Sequence, residues 1–270
     1  MPGLANAVTS GWVQNKPKLK VLGRAFTQLH VGAKETVFSA HADLLCSRSN
    51  FFKERLQPSR KTVEGDCAIC LVKMDPIKDD ITYCTSCGQN FHGKCMTQWL
   101  GNNNTTCTTC RAVWVGKPSH SQLKCADLDA DSFELYIQWL YNDQLSICQD
   151  EHDANWIFQL LQAHIAGDTL GDIEFQKAIL AELIEHHMTR RSYPGETYVQ
   201  HVYENTSGPC TLRRFLVDMY VYGVRELSED KMPVQFLLDL SKALLKYRPA
   251  DRPDINIALA DYIKSDDNDT

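Results

Sequence analysis

No stretch of the chain approaches the ~18–20 consecutive apolar residues of a membrane span, so the sequence predicts a soluble protein with no membrane partner. The opening residues, MPGLANAVTSGW, contain neither a basic start nor an apolar run, and no secretory signal is expected. Basic residues are in the minority: Lys and Arg total 28 against 34 Asp and Glu, for a formal net charge of −6. Such a balance offers no broad cationic surface for displacing counterions from phosphates, which argues against nucleic acid as a partner. A Gly-rich phosphate loop and a Ser/His/Asp arrangement are both missing, so hydrolase and nucleotide chemistry find no support.

Cysteine, by contrast, is plentiful. Seven of the 11 cysteines fall between positions 67 and 110. A chain without a secretory signal sits among reducing thiols, in cytoplasm or nucleus, where disulfides are not the expected use of cysteine. The other four, Cys46, Cys125, Cys148 and Cys210, lie among apolar neighbours and read as small buried hydrophobes. In the dense segment the order is Cys67-x2-Cys70, x13, Cys84-x2-Cys87, x4, His92-x2-Cys95, x11, Cys107-x2-Cys110. Two intervening residues let a tight turn aim two donors at one tetrahedral ion, and sulfur with imidazole nitrogen suits zinc. Eight such ligands predict two structural Zn²⁺. Large apolar residues are few here, so metal binding must supply most of the folding energy. Spacing alone leaves open whether sequential pairs share an ion, as in two ribbons, or alternate pairs do, as in a cross-brace.

The residues around the ligands decide between these. CAIC, FHGKCMTQWL and CTTCR together resemble a RING finger over residues 67–111, including Ile69, Phe91-His92, Trp99 and Arg111. The resemblance implies a cross-brace, with Cys67, Cys70, His92 and Cys95 on one ion and Cys84, Cys87, Cys107 and Cys110 on the other. It further implies binding of a ubiquitin-conjugating enzyme and ubiquitin: Ile69 and Trp99 line an apolar groove, and Arg111 is the catalytic residue, bonding both partners. Thr108, at the edge of that groove, replaces the proline common after the seventh ligand. Cys87 stands where many RING fingers carry histidine, a ligand order shared with PHD fingers. The aromatic residue usual in a PHD finger two positions before the seventh ligand is absent, its place taken by Thr105.

The flanks read as an α+β fold. Phe26–Val31 and Thr36–Ala40 predict two strands joined at Gly32-Ala33, followed by a helical pattern from His41. After residue 122, Asp131 with Glu134 predicts a capping box opening a helix that buries Phe133, Tyr136, Ile137 and Leu140. The VG-then-strand opening, HADLLCSRSNFF and SFELYIQWLY resemble a divergent BTB/POZ domain of the kind abundant in fungal proteins. On this reading residues 20–56 and 123–190 are a mainly helical BTB/POZ-like domain with a small sheet, interrupted by the RING insert between polar linkers. That resemblance implies a possible homodimer and a cullin scaffold as partner. Further on, Trp156, Ile157, Leu160, Leu161, His164 and Ile165 trace one helix face ending at Gly167, and Phe175, Ile179, Leu183 and His186 trace another. His164, His186 and His187 read as helix-face residues without companion ligands. Two helices are expected within residues 210–248, and the acidic stretch 249–270 reads as disordered.

The expected function is a RING-type ubiquitin-protein ligase whose body recruits substrate. The alternatives are a zinc-containing interaction adaptor without enzymatic activity, or a PHD-like reader of histone tails.

Overall fold

A computed structural model describes residue 20 and residues 22–115, 120–145, 155–190, 193–223 and 232–246. Cys148 and the stretch 249–270 lie outside the described residues. The chain divides into two units, one ending at Leu183 and the other beginning at Ile184.

The first unit begins with β1 (Phe26–Val31) and β2 (Thr36–His41), an antiparallel hairpin in which Val31 faces Thr36. Alternation sends Thr27, Leu29 and Val31 to one fully buried face of β1. The connection runs through Gly32-Ala33, between the strand ends the sequence predicts. It takes four residues, 32–35, because both Gly32 and Glu35 adopt positive φ and Glu35 N–H closes onto the Gly32 carbonyl. The helical stretch after His41 is likewise two helices, α1 (Ala42–Arg48) and α2 (Asn50–Leu56). Ser49 breaks them by taking an extended conformation. Its hydroxyl accepts from Phe52 N–H and donates to the Leu170 carbonyl 121 residues away, a tertiary bond no local pattern reveals.

The zinc-finger segment follows, with β3 (Ile81–Tyr83), β4 (Asn90–His92) and α3 (Gly93–Gly101). The chain then returns to the body as β5 (His120–Cys125), parallel to β1 on the edge away from β2, so the sheet order is β2-β1-β5. Helix α4 (Ala130–Asn142) is capped by Asp129, not Asp131. The Asp129 carboxylate accepts from Ser132 N–H at 2.8 Å. That start puts the buried pair Leu128 and Phe133 at the two positions of a hydrophobic staple, which a start at Asp131 would forfeit. Phe133, Tyr136, Trp139 and Leu140 are buried, and Ile137 is half-buried.

Helices α5 (Asn155–Leu170) and α6 (Ile173–Arg190) complete the body. Gly167 is not the end of α5. It lies inside the helix where α6 approaches, and a Cβ there would meet Gln176 Cγ at 2.8 Å and Phe175 Cδ1 at 3.1 Å. Gly171, at φ +65°, makes the turn instead. Phe52, Phe133, Tyr136, Trp139 and Phe175 form a continuous aromatic core at ring spacings of 5.0–6.1 Å. Within it Tyr136 donates to Asp172, which also caps α6 through Phe175 N–H. His164 is buried and its basicity lowered by that burial, while His186 and His187 are half-buried and join no metal-ligand group among the described residues. Cys46 and Cys125 are buried and Cys210 half-buried.

In the second unit, α7 (Glu196–Asn205), which the sequence reading does not anticipate, packs with α8 (Thr211–Gly223) and α9 (Val234–Lys246). Arg213 is buried against the C-terminus of α7 and donates to the Tyr203 and Thr206 carbonyls. A cation there satisfies terminal carbonyls and opposes the helix dipole. No described helix is long and apolar enough to cross a membrane.

Replacing Gly167 with valine should overpack the α5–α6 contact and cost about 1–3 kcal/mol. A lowered denaturant midpoint with unchanged slope checks this; an unaltered midpoint would return Gly167 to the role of a surface cap.

Candidate metal centre and partner surface

Three turns of the finger repeat one backbone pattern. In each, the residue after the second cysteine takes positive φ and donates its N–H to the first cysteine's carbonyl: Leu71 to Cys67, Gly88 to Cys84 and Arg111 to Cys107, at 2.8–3.0 Å. Each first cysteine donates in turn to a carbonyl beyond the turn, on Val72, Gln89 and Ala112 respectively. The first and third turns match further, through the bridges Asp66–Lys73 and Thr106–Val113 and the bonds from Met74 to Gly65 and Trp114 to Thr105. Backbone N–H groups point at sulfur: Thr109 N–H, within the third turn, lies 3.4 Å from Cys107 Sγ, and His92 N–H, at the end of β4, lies 3.5 Å from Cys67 Sγ.

The strands interleave these turns. Cys84 follows β3, and His92 ends β4 and caps α3, which carries Cys95. The donor atoms therefore gather alternately: Cys67, Cys70, His92 and Cys95 in one group, Cys84, Cys87, Cys107 and Cys110 in the other, each within 4.8 Å. Both are closed four-donor sets with no position left for water or substrate, the form of a structural zinc site. Two zinc ions fit them. Of the seven buried residues in the finger's core cluster, three are ligand cysteines and the rest are Met74, Ile81, Phe91 and Met96. So small a core depends on its metals.

The thiols of one group cannot all ionise without a cation between them. Burial pushes the Cys67 thiol up, but backbone N–H groups of His92, Ile69 and Cys70 outweigh it and bring it down to about 7. Cys95 is pushed up to about 11 by burial and by the Cys70 and Cys67 thiols. In the second group Cys84 falls to about 7, burial being outweighed by N–H groups of Cys87 and Ser86, while burial and neighbouring thiols push Cys87 up to about 12. Each group thus has a readily formed thiolate whose charge resists the next ionisation. A divalent cation reverses that resistance.

Asp79, which no sequence motif marks, stands behind His92. His92 turns Nδ1 toward Cys70 Sγ at 3.2 Å, and its Nε2 lies 3.3 Å from the Asp79 carboxylate. That carboxylate, itself held by Asp75 N–H, stands where it can orient the ring through Nε2 while Nδ1 faces the metal site. The signal was available as an acidic run ahead of β3, but nothing local singles out Asp79 from Asp80.

The expected partner residues have different surroundings. Arg111 is exposed, in the left-handed conformation of the third turn. Ile69 and Trp99 are half-buried, each with part of its surface on the finger core, and the Trp99 indole donates to the Thr106 carbonyl at 2.9 Å. Thr108 is half-buried, with its hydroxyl shielded from solvent and lacking a hydrogen-bond partner. Leu71 and Val72, which the sequence reading left aside, are 77% and 59% exposed beside the first metal group.

Residues 65–111 match the family model described as Ring finger domain, and this segment is a RING-type zinc finger. The chain is similar to RING-H2 finger protein ATL8 of Arabidopsis thaliana, 36% identical over 75 residues, or 28% of this chain and 37% of that protein. It is 34% identical over 68 residues to RING-H2 finger protein ATL80 of the same plant, 25% of this chain and 32% of that one. E3 ubiquitin-protein ligase EL5 of Oryza sativa subsp. japonica is 34% identical over 53 residues, 20% of this chain and 16% of that protein. The matched stretches span well under half of these relatives. The finger of the present chain has a single histidine ligand, with Cys87 at the fourth position.

Removing the Asp79 carboxylate in Asp79→Ala should weaken zinc binding by about 10–100-fold. Competition against a chromogenic chelator measures it, with Asp79→Asn recovering part of the loss; equal affinities in all three would leave Asp79 no part in orienting His92.

Proposed function

We propose that the chain is a RING-type ubiquitin-protein ligase, acting by holding a ubiquitin-charged conjugating enzyme in a reactive pose. The observation that carries this reading is the interleaved two-metal finger with exposed Arg111 directly after its last ligand. The likeness to a protein named as an E3 ubiquitin-protein ligase supports it. Every finger cysteine is a metal ligand, so the finger contributes no nucleophile. Catalysis then consists of orientation and of electrostatic support for the thioester under attack. Arg111 supplies the cationic donor, and Ile69 and Trp99, with Leu71 and Val72 beside them in the first loop, supply apolar contact to the conjugating enzyme.

The body, on this reading, is a BTB/POZ-type domain that recruits substrate and offers surfaces for a homodimer or a cullin. The sheet order β2-β1-β5, with helices following the hairpin and the last strand, supports that assignment. A non-enzymatic adaptor is the second reading, favoured by the internal use of the Trp99 indole.

Arg111→Ala should keep both zinc ions and melt within about 0.5 kcal/mol of the wild type, as an exposed substitution. Its ubiquitin discharge should fall on the order of 100-fold, the scale for removing one electrostatic donor. A panel of charged conjugating enzymes tests this, and undiminished transfer by the variant would favour another role for Arg111. Thr108→Val, which removes the orphaned hydroxyl, should raise finger stability by about 1 kcal/mol; thermal melting decides it.

A further inference from the structure

The finger is joined to the body by more than two linkers. Arg60, in the entry linker, is about as buried as a core residue, its side chain 10% exposed. It donates from Nη1 to Asp43 Oδ1 at 2.8 Å, and Asp43 lies in the first turn of α1 with 7% of its side chain exposed. Its Nε donates to Asn90 Oδ1 at 3.0 Å, and Asn90 begins β4 of the finger. Its guanidinium also lies 5.1 Å from the ring centre of Tyr83 on β3. Gln57 completes the junction by donating to Asp43 and accepting from Arg60 at 3.1 Å. Asn90 then uses its own amide to hold the Lys61 and Thr62 carbonyls at 3.0 and 3.2 Å. At the neighbouring turn, Lys61 N–H bonds the Gly88 carbonyl, and a Cβ on Gly88 would overlap the Ser59 backbone.

A buried cation that reaches one carboxylate on the body, one amide on the finger and one aromatic ring has little freedom to change partners. Parting such a desolvated pair leaves an uncompensated buried charge, so the arrangement that keeps it together is favoured over others. A tether serving only to connect would be exposed and polar, like most linkers. We infer that Arg60 is a positioning residue that locks the RING finger to the body in one orientation, so that the proposed ligase delivers ubiquitin to lysines in a restricted zone. The inference rests on the ligase reading for its consequence, but the lock itself is a property of the fold.

Two measurements on the full chain test it. Backbone ¹⁵N relaxation should give the finger and the first-unit body one rotational correlation time in the wild type. In Arg60→Ala the finger should tumble faster than the body, with its zinc content unchanged. Because that variant leaves Asp43 buried without its cation, the paired Arg60→Gln/Asp43→Asn variant, which keeps the junction neutral, provides a second case in which the fold survives. With a charged conjugating enzyme, discharge to free lysine should stay within about twofold in both variants. The lysines modified on the chain itself, mapped by mass spectrometry, should change from a restricted set to a broad one.

Independent tumbling in the wild type, or joint tumbling in both variants, overturns the lock. An identical lysine map in a variant whose finger has come loose overturns its role in aiming, and so does a parallel loss of free-lysine discharge, since Arg60 would then act on the finger itself. Failure of the wild type to discharge any conjugating enzyme removes the ligase reading and the aiming role with it, while the tumbling still decides the lock.

Discussion

Sulfur atoms held within 4.8 Å of one another repel as thiolates, and the finger is organised around the cation that turns this repulsion into bonding. Cys67 and Cys84 are prepared for ionisation by backbone N–H groups, whereas burial and neighbouring thiols push Cys87, Cys95 and Cys107 up. The positive φ at Leu71, Gly88 and Arg111 belongs to the same economy of backbone, since it lets each turn fold back over its own sulfur. Arg111 therefore has two aspects that share one cause. The turn that serves the second metal also carries the side chain outward, away from the small core. A finger stabilised mainly by apolar burial would have had no reason to display its next residue this way.

The metals act beyond the finger as well. The parallel pairing of β1 with β5 requires the chain to close a long connection between Leu56 and His120. An unfolded connection of that length would tax sheet formation through closure entropy, which grows as the logarithm of loop length. A folded finger, whose entry linker is bonded through Lys61 and Thr62 to Gly88 and Asn90, shortens the flexible part of the connection. By this argument zinc binding should lower the closure cost of the body sheet, although its sites lie in a separate small core.

What could be read from the sequence was what local spacing encodes. Eight ligands in four short pairs announce themselves because each turn is built from adjacent residues. The body was legible as alternating and helical periodicity, and its misreadings have tertiary causes. Gly167 resembles a helix terminator, yet it is small because Phe175 and Gln176 approach it. Asp131 and Asp129 are equally good caps by residue type, and the staple of Leu128 with Phe133 selects the earlier one. Ser49 interrupts a helical pattern because its hydroxyl has a partner in α5. The Arg60 junction was illegible for the same reason: Asp43 and Asn90 stand 17 and 30 residues away, in segments that read separately as body and finger.

The disposition of thiols bears on how any ubiquitin transfer could proceed. A ligase that forms its own thioester needs a nucleophilic sulfur in an accessible, electropositive setting. Among the described residues, seven cysteines are metal ligands, while Cys46 and Cys125 are buried in the body. Cys125 is pushed up to about 11 by its burial, the opposite of an activated thiol. Cys210 is half-buried in the second unit. With every finger cysteine used as a metal ligand, ubiquitin in the proposed reaction would pass directly from the conjugating enzyme to its acceptor. The geometry of the mount then matters more than the reactivity of any side chain, because a chain that never holds the cargo can influence its destination only through the direction in which it presents the donor.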